Sequence, residues 1–130
     1  MRYLALAILA LCACAIIALA APIGSDKMPD GTYDVAVDPK PPSYPPHLWD
    51  PSVGTGAEIT ADGDSMDIDN WHHTIEAEWI AAQNAYYPTV SSGRFFSFKL
   101  PDKLFEWEVV PAEPTPVVVL RASYTVTPKT

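Results

Sequence analysis

The sequence predicts an α+β fold in which one amphipathic helix packs on an antiparallel β-sheet. Apolar residues recur at helical spacing between Asp67 and Tyr86. From Arg94 onwards, apolar and polar residues alternate with the period of two that is typical of strands. A proline-rich stretch before the helix predicts an N-terminal strap outside the sheet. We divide the chain into a signal peptide (1–20), an N-terminal strand and strap (21–51) and an α+β core (52–130), with 21–130 forming one domain.

The first twenty residues have the composition of a secretory signal peptide. Arg2 precedes an unbroken run of small and apolar residues, and Ala18-Leu19-Ala20 offers small side chains before a cleavage site. A transmembrane anchor is the alternative. The apolar run is shorter than the roughly 20 residues that a spanning helix needs, and no basic cluster follows it. We expect the mature protein to be secreted and extracellular.

Composition excludes several classes of function. Both cysteines lie in the leader, so a mature chain would contain no thiol nucleophile, no cysteine metal site and no internal disulfide. The chain carries 16 Asp and Glu against 8 Lys and Arg, which gives a formal net charge of −8. This acidity disfavours nucleic acid, although it does not exclude it, and also disfavours anionic membranes. We expect a monomer with an unidentified protein partner, no membrane association and no cofactor.

The segment before the helix predicts one strand and the strap. Thr32–Val37 alternates, with Tyr33, Val35 and Val37 on one face. Six prolines follow between Asp38 and Pro51, and they cannot donate the backbone hydrogen bonds that a sheet requires. The favoured interpretation is that Leu48 and Trp49 pack under the domain. A docking peptide for a groove on a partner is the alternative.

Four aspartates precede or begin the predicted helix. Asp62 and Asp64 belong to a turn by composition, and Asp67 and Asp69 stand where a helix N-terminus favours acids. A calcium loop is the alternative, but the ligand order of an EF-hand is missing. We predict no metal site.

The helix is predicted from Asp67 to Tyr86. At 100° per residue, five apolar side chains fall in one stripe: Trp71, Ile75, Trp79, Ala82 and Tyr86. Asn70 adds a third cap candidate to Asp67 and Asp69, and Pro88 ends the helix.

Three strands after the helix predict an antiparallel meander. They are Arg94–Leu100, Leu104–Val110 and Val117–Thr127, and short turns join them. One face packs on the helix, and the other carries four charged residues: Lys99, Glu106, Glu108 and Arg121. We predict that this face, with the aromatic residues Tyr87 and Trp49, is the binding surface. Ordinary cross-strand charge pairing is the alternative.

The sequence contains no complete catalytic set. His72 and Glu76 could share a helix face, but two ligands do not make a zinc site. No Gly-x-Ser-x-Gly nucleophile motif and no phosphate-binding glycine loop occurs in the chain.

The C-terminal half contains, in this order, a predicted helix, Tyr87-Pro88, Phe96-x-Phe98, Phe105-Glu106-Trp107 and a valine-rich strand. Over about residues 71–127 this order resembles that of the microbial guanyl-specific ribonucleases. The resemblance implies a helix packed on an antiparallel sheet, with Glu106 at the position of the catalytic glutamate. Thr89 stands where the first catalytic histidine should follow Tyr-Pro. The phosphate-binding arginine and the late histidine have no counterpart, so the resemblance implies a vestigial, inactive site.

These observations predict a small secreted, non-enzymatic interaction protein. The resemblance implies that it is an effector in virulence, built on a catalytically degenerate ribonuclease-like scaffold. One alternative is a weak ribonuclease-like hydrolase that retains Glu106. Another is a carbohydrate-binding module that uses Trp49, Tyr44 or Tyr87 as stacking platforms.

Overall fold

The computed structural model describes residues 23–129, which form a closed barrel of eight antiparallel β-strands. Each strand pairs with the next along the chain, and the last pairs with the first. The predicted signal peptide, residues 1–20, lies outside the described residues. The strands are β1 (Gly31–Val37), β2 (Glu58–Asp62), β3 (Ser65–Asn70), β4 (His73–Ile80), β5 (Ala85–Pro88), β6 (Arg94–Lys99), β7 (Lys103–Val110) and β8 (Val117–Pro128).

The predicted α+β fold is wrong. Between residues 23 and 129 the structure contains no α-helix, and its only helical element is the 3₁₀ turn Pro46–Leu48. The segment predicted as a helix forms the end of β3, all of β4 and the start of β5. The ribonuclease-like scaffold, which needs that helix, is therefore wrong as well.

The error has a simple geometric cause. Residues four apart lie close together on a helix, but they also lie on the same face of a strand, because four is a multiple of two. Ile75 and Trp79 satisfy both patterns. Ala77, which is buried between them, fits only the strand. The interpretation as a helix also ignored two turns, at which Trp71 and Asn84 have left-handed backbone angles of φ 64° and 54°.

The aspartates that were expected to cap the helix are strand residues. Asp67 and Asp69 point outwards from β3, where they alternate with the buried side chains of Met66 and Ile68. Alternation of this kind is the pattern of a strand that has one wet and one packed face.

The barrel interior is packed in its lower part and less completely filled at its upper end. We call the end that carries the 71–72, 89–93 and 111–116 connections the upper end. The lower end is closed by residues before β1: the Met28 side chain is buried, and its N–H donates to the Tyr86 hydroxyl at 2.7 Å. Residues 38–57, which join β1 to β2 and which we call the strap from here on, cross the upper end.

One β-bulge changes the faces of β8. Glu106 pairs with Ala122 but Trp107 pairs with Leu120, so that Arg121 is the extra residue. Ala122 and Tyr124 therefore face the interior, whereas Leu120 joins a second apolar cluster with Phe95 and Trp107 outside the barrel. The sequence pattern placed the whole strand in one register and missed this shift.

Candidate functional site

The upper part of the barrel wall contains a gap, because β5 is shorter than its neighbours. β5 pairs with β4 only from Ala77 to Ile80, and with β6 only through Tyr86 and Phe96. The upper part of β4, His73–Glu76, is paired with β3 on one side but has no strand on the other side, above the end of β5. We call this gap the upper slot; it is bounded by His73–Glu76, Arg94–Phe96 and the loop at residues 89–93.

The upper slot opens into a cavity of about 500 Å³. Its apolar lining consists of Ile75, Pro88, Val90 and Phe96. Phe96 is buried at the base, whereas Val90 stands at the rim with 78% of its surface exposed. The volume lies within the range of about 300–1,000 Å³ that is typical of small-molecule sites.

A carboxylate with no exposed surface lies in the wall of this cavity. Glu106 accepts hydrogen bonds from the Ser52 N–H at 3.1 Å and from the Ser52 and Tyr124 hydroxyls. The Arg94 Nη1 donates to it at 3.0 Å and forms an ion pair with it. A buried carboxylate is tolerated only when it is paired in this way.

Arg94 connects the barrel wall to the strap. Its Nη1 also donates to the Asp50 carbonyl oxygen at 2.7 Å, and its Nη2 donates to the Asp50 carboxylate at 2.6 Å. Glu108 Oε1 lies 3.4 Å from the same Nη2. Burial lowers the pKa of Arg94, but the hydrogen bonds to Glu106 and Asp50 outweigh it and raise the pKa above its usual value. The guanidinium is permanently charged, and both terminal nitrogens are engaged.

Further hydrogen bonds fix the strap over the rest of the upper end. The side chain of Asn70, which is buried, donates to the Ser52 carbonyl at 2.9 Å and accepts from the Gly54 N–H at 3.2 Å. The Tyr124 hydroxyl accepts the Val53 N–H at 3.3 Å. Burial and the charge of Glu106 raise the pKa of Tyr124 far above that of a free tyrosine. Tyr124 therefore acts as a neutral donor to Glu106 at ordinary pH.

An exposed tryptophan lies beside the strap at the same end. Trp71 is 70% exposed and sits at the β3–β4 turn. A Cβ atom on Gly54 or Gly56 would come within 3.3 Å of its indole ring. The two glycines thus allow the ring to lie close over the backbone of the strap.

The structure brings together only part of the predicted binding surface. Glu106, Glu108 and Arg121 are neighbours, with Arg121 Nε 2.8 Å from Glu108 Oε1. Glu106, however, is fully buried instead of lying on an open face. Lys99 is exposed at the lower end of β6, where it pairs with Lys103, three positions below the level of Glu106.

The two predicted aromatic residues lie in different places. Tyr87 stacks on Phe95 outside the barrel, with ring centroids 4.9 Å apart. Trp49 is half-buried and packs edge-on against Tyr44, which is buried. Neither residue lines the cavity of the upper slot.

Sequence reasoning missed Arg94, Ser52 and Tyr124. A signal for Arg94 was present, since it alternates in phase with Phe96 and Phe98, whose side chains face the interior. A charged residue in an inward phase indicates an interior polar site. No comparable signal marks Ser52, which reaches Glu106 only because the strap crosses the barrel.

The hydrogen bonds of Glu106 leave it poorly placed for acid–base catalysis. The Ser52 hydroxyl donates to a carboxylate that Arg94 and Tyr124 already engage, so Glu106 is not free to accept a proton from a substrate. In the part of the chain that the structure describes, no group of three or more His, Cys, Asp or Glu could hold a metal ion. No helix among these residues is long and apolar enough to cross a membrane.

Comparison with known proteins does not assign a family: no protein-family model, no curated protein and no solved structure matches the chain.

Proposed function

We propose that this protein is a secreted, non-enzymatic binding protein that takes a small, largely apolar molecule without negative charge into the upper slot. The observation that supports this proposal is the 500 Å³ cavity, whose opening and apolar lining arise from the short β5. Barrels of eight strands have an interior just wide enough to be filled by side chains or to hold one small ligand. Side chains fill the lower part of this barrel, and the upper slot leaves room for one small ligand.

The apolar lining favours a hydrophobic ligand. Burial of apolar surface contributes about 25 cal/mol per Å². A ligand that covered Ile75, Val90 and Phe96 would also remove the exposed Val90 side chain from water. The two charged groups Arg94 and Glu106 at the cavity wall are already paired with each other, so they orient a ligand rather than neutralise a charged one.

The charge at the site disfavours anions. Arg94 is the cation in the lining, and Asp50, Glu106 and Glu108 already surround it. An anionic ligand would have to compete with these carboxylates for the guanidinium, and it would meet the negative field of the whole chain.

Two dyes with nearly the same ring system test the proposal. N-phenyl-1-naphthylamine is uncharged and fluoresces in apolar surroundings, whereas 1-anilinonaphthalene-8-sulfonate carries a sulfonate. We expect the uncharged dye to bind with enhanced emission. The sulfonate should bind at least about tenfold more weakly, because repulsion between two negative charges in a half-buried site costs more than about 1.4 kcal/mol.

Two matched variants locate the bound dye. Val90→Asp places a carboxylate at the rim of the upper slot, and Leu100→Asp places one at an exposed apolar position at the lower end. Val90→Asp should weaken binding of the uncharged dye, and Leu100→Asp should leave it unchanged. Absence of binding, or equal effects of the two variants, would refute the proposal.

A second candidate function rests on Trp71. An exposed indole that lies close over glycines presents a broad apolar surface to solvent, which is the kind of platform on which sugar rings stack. Retention of the protein on an insoluble polysaccharide, and its loss in Trp71→Ala but not in Trp49→Ala, would support carbohydrate binding. Absence of retention on a panel of polysaccharides would remove this candidate.

A further inference from the structure

We infer that the ligand of the upper slot is a short, extended peptide segment, uncharged or basic, that pairs with the free edge of β4. This inference rests on the proposed function and specifies the chemical class of the ligand. The slot combines an apolar pocket with an unpaired strand edge, and this combination is the one used when a peptide adds a strand to a sheet.

The backbone of β4 presents unpaired groups to the slot. In an antiparallel ladder, the N–H and C=O of one residue point to the same neighbouring strand, and successive residues alternate. Trp79 N–H donates to Asp64 on the β3 side, and the Glu76 carbonyl accepts from Thr89 on the β5 side. The backbone N–H and C=O groups of the even-numbered residues of β4 therefore point towards β5 and, above the end of β5, into the slot.

Two residues supply the free groups. The alternation directs the N–H and C=O of Thr74, and the N–H of Glu76, into the slot. Within residues 23–129, β5 pairs with β4 only below this level, and no other hydrogen bond reaches these three groups. Two donors and one acceptor are the groups with which an added antiparallel strand forms its hydrogen bonds.

The dimensions fit a short peptide. Because Thr89 pairs with the Glu76 carbonyl, the free edge runs from His73 to the Glu76 N–H and is about 10 Å long at 3.3–3.4 Å per residue. Every second side chain of an added strand would point into the cavity beside Ile75 and Phe96. The chemistry of the slot thus favours apolar residues at alternate positions of the peptide.

The charges select against acidic peptides. Glu76 on the β4 edge has no ion-pair partner among the described residues, whereas the cation of the lining, Arg94, is held by Asp50 and Glu106. A lysine in the peptide would meet unneutralised negative charge at the rim, and a glutamate would be repelled. Binding should therefore weaken as the salt concentration rises.

Methylated peptides test the backbone pairing without any change to the protein. The probe is acetyl-Lys-Val-Phe-Val-amide. Calorimetry compares it with two methylated peptides that are isomers of each other. Each carries a single N-methyl group, and the two methylated positions are adjacent amides. An added strand turns alternate amides to opposite sides, so one isomer loses a hydrogen bond to β4 and the other does not. We expect the two isomers to differ by about two- to tenfold, the range that one net hydrogen bond gives.

Two variants at Thr74 test the protein side. Thr74→Pro removes the N–H that faces the slot, and proline is tolerated at an edge whose N–H is unpaired. Thr74→Ala keeps the N–H and removes only the side-chain hydroxyl and methyl groups. We expect Thr74→Pro to weaken peptide binding several-fold relative to Thr74→Ala.

The outcomes separate this inference from the proposed function. Equal binding of both methylated isomers and the parent peptide, or equal binding of peptides with Lys and with Glu at the first position, overturns the inference. If the uncharged dye still binds in that case, the proposed function stands and only the peptide class fails. If neither the dye nor the peptide binds, both fail.

Discussion

Replacement of Glu106 by alanine tests whether the buried carboxylate holds the strap to the barrel. The substitution removes the acceptor of four hydrogen bonds at a position with 0% exposure. Ser52 and Tyr124 would lose their acceptor, and Arg94 would keep Asp50 and Glu108 only. Breaking a buried ion pair costs about 3–5 kcal/mol because it leaves the other charge uncompensated. Partial exposure of Arg94, at 17%, places the expected value near the lower limit, about 3 kcal/mol.

Glu108→Ala is the matched control on the same strand. Glu108 pairs with Arg94 and Arg121, but 28% of its side chain is exposed, so that water screens both interactions. Its removal should cost about 1 kcal/mol or less. The comparison keeps the residue type and the element constant and changes the burial of the carboxylate together with its hydrogen bonds from Ser52 and Tyr124.

Urea denaturation measures both variants. Tryptophan fluorescence and far-UV circular dichroism should report a lower midpoint for Glu106→Ala with an unchanged slope, because a lower midpoint at constant slope is a loss of stability. Equal losses in Glu106→Ala and Glu108→Ala would show that burial of Glu106 has no energetic consequence and would refute the reasoning. A smaller slope would instead indicate that the strap detaches in the native state.

Three further predictions follow from the same geometry. Burial and the charge of Glu106 raise the pKa of Tyr124, so this tyrosine ionises at lower pH in the unfolded chain than in the folded one. The free energy of unfolding should therefore fall above about pH 10. Denaturation at pH 9 to 11 should show that this fall is shallower in Tyr124→Phe by about 1.4 kcal/mol per pH unit. Gly56→Ala should lower the stability measured by thermal unfolding more than Gly63→Ala does. Both glycines have positive φ, and strain at positive φ alone should cost about 1–2 kcal/mol at Gly63. At Gly56 the new Cβ would in addition meet Trp71 at 3.3 Å. Burial would raise the pKa of Asp38, but hydrogen bonds from Thr125, Ser123 and Lys103 outweigh it and lower the pKa. The contribution of Asp38 to stability is therefore present above about pH 4 and lost as the pH falls further. Asp38→Asn should lower the free energy of unfolding at pH 7 by about 1 kcal/mol and make its decrease at acid pH shallower.

The β-strands in the C-terminal half could be predicted from the sequence, because a strand that faces a core on one side must alternate. Arg94–Leu100 and Leu104–Val110 were predicted within a residue or two of β6 and β7. The bulge at Arg121 could not be predicted, since it depends on pairing and leaves no mark in composition.

The closure of the barrel lay beyond the sequence pattern. Pairing of β1 with β8 joins Val35 to Val126, two residues far apart in the chain, and alternation within each strand says nothing about this partnership. The upper slot was missed for a related reason. It exists because β5 stops at Pro88, opposite Ala77, while β4 extends four residues above that level to His73, which is a relation between two strands. Glu106 was singled out only through a resemblance to ribonucleases, and the barrel places it in a different role.

The pairing of the first strand with the last has a consequence for biosynthesis. Gly31 to Pro128 must all be available before the ring can shut, since Tyr33 pairs with Pro128 and the Thr32 carbonyl accepts the Lys129 N–H at 2.8 Å. A nascent chain that lacks its final dozen residues would lack β8 and form an open sheet. The unpaired edges of β1 and β7 could then pair with other polypeptides. Pairing of β1 with β8 after synthesis is finished would close the barrel and cover both strand edges.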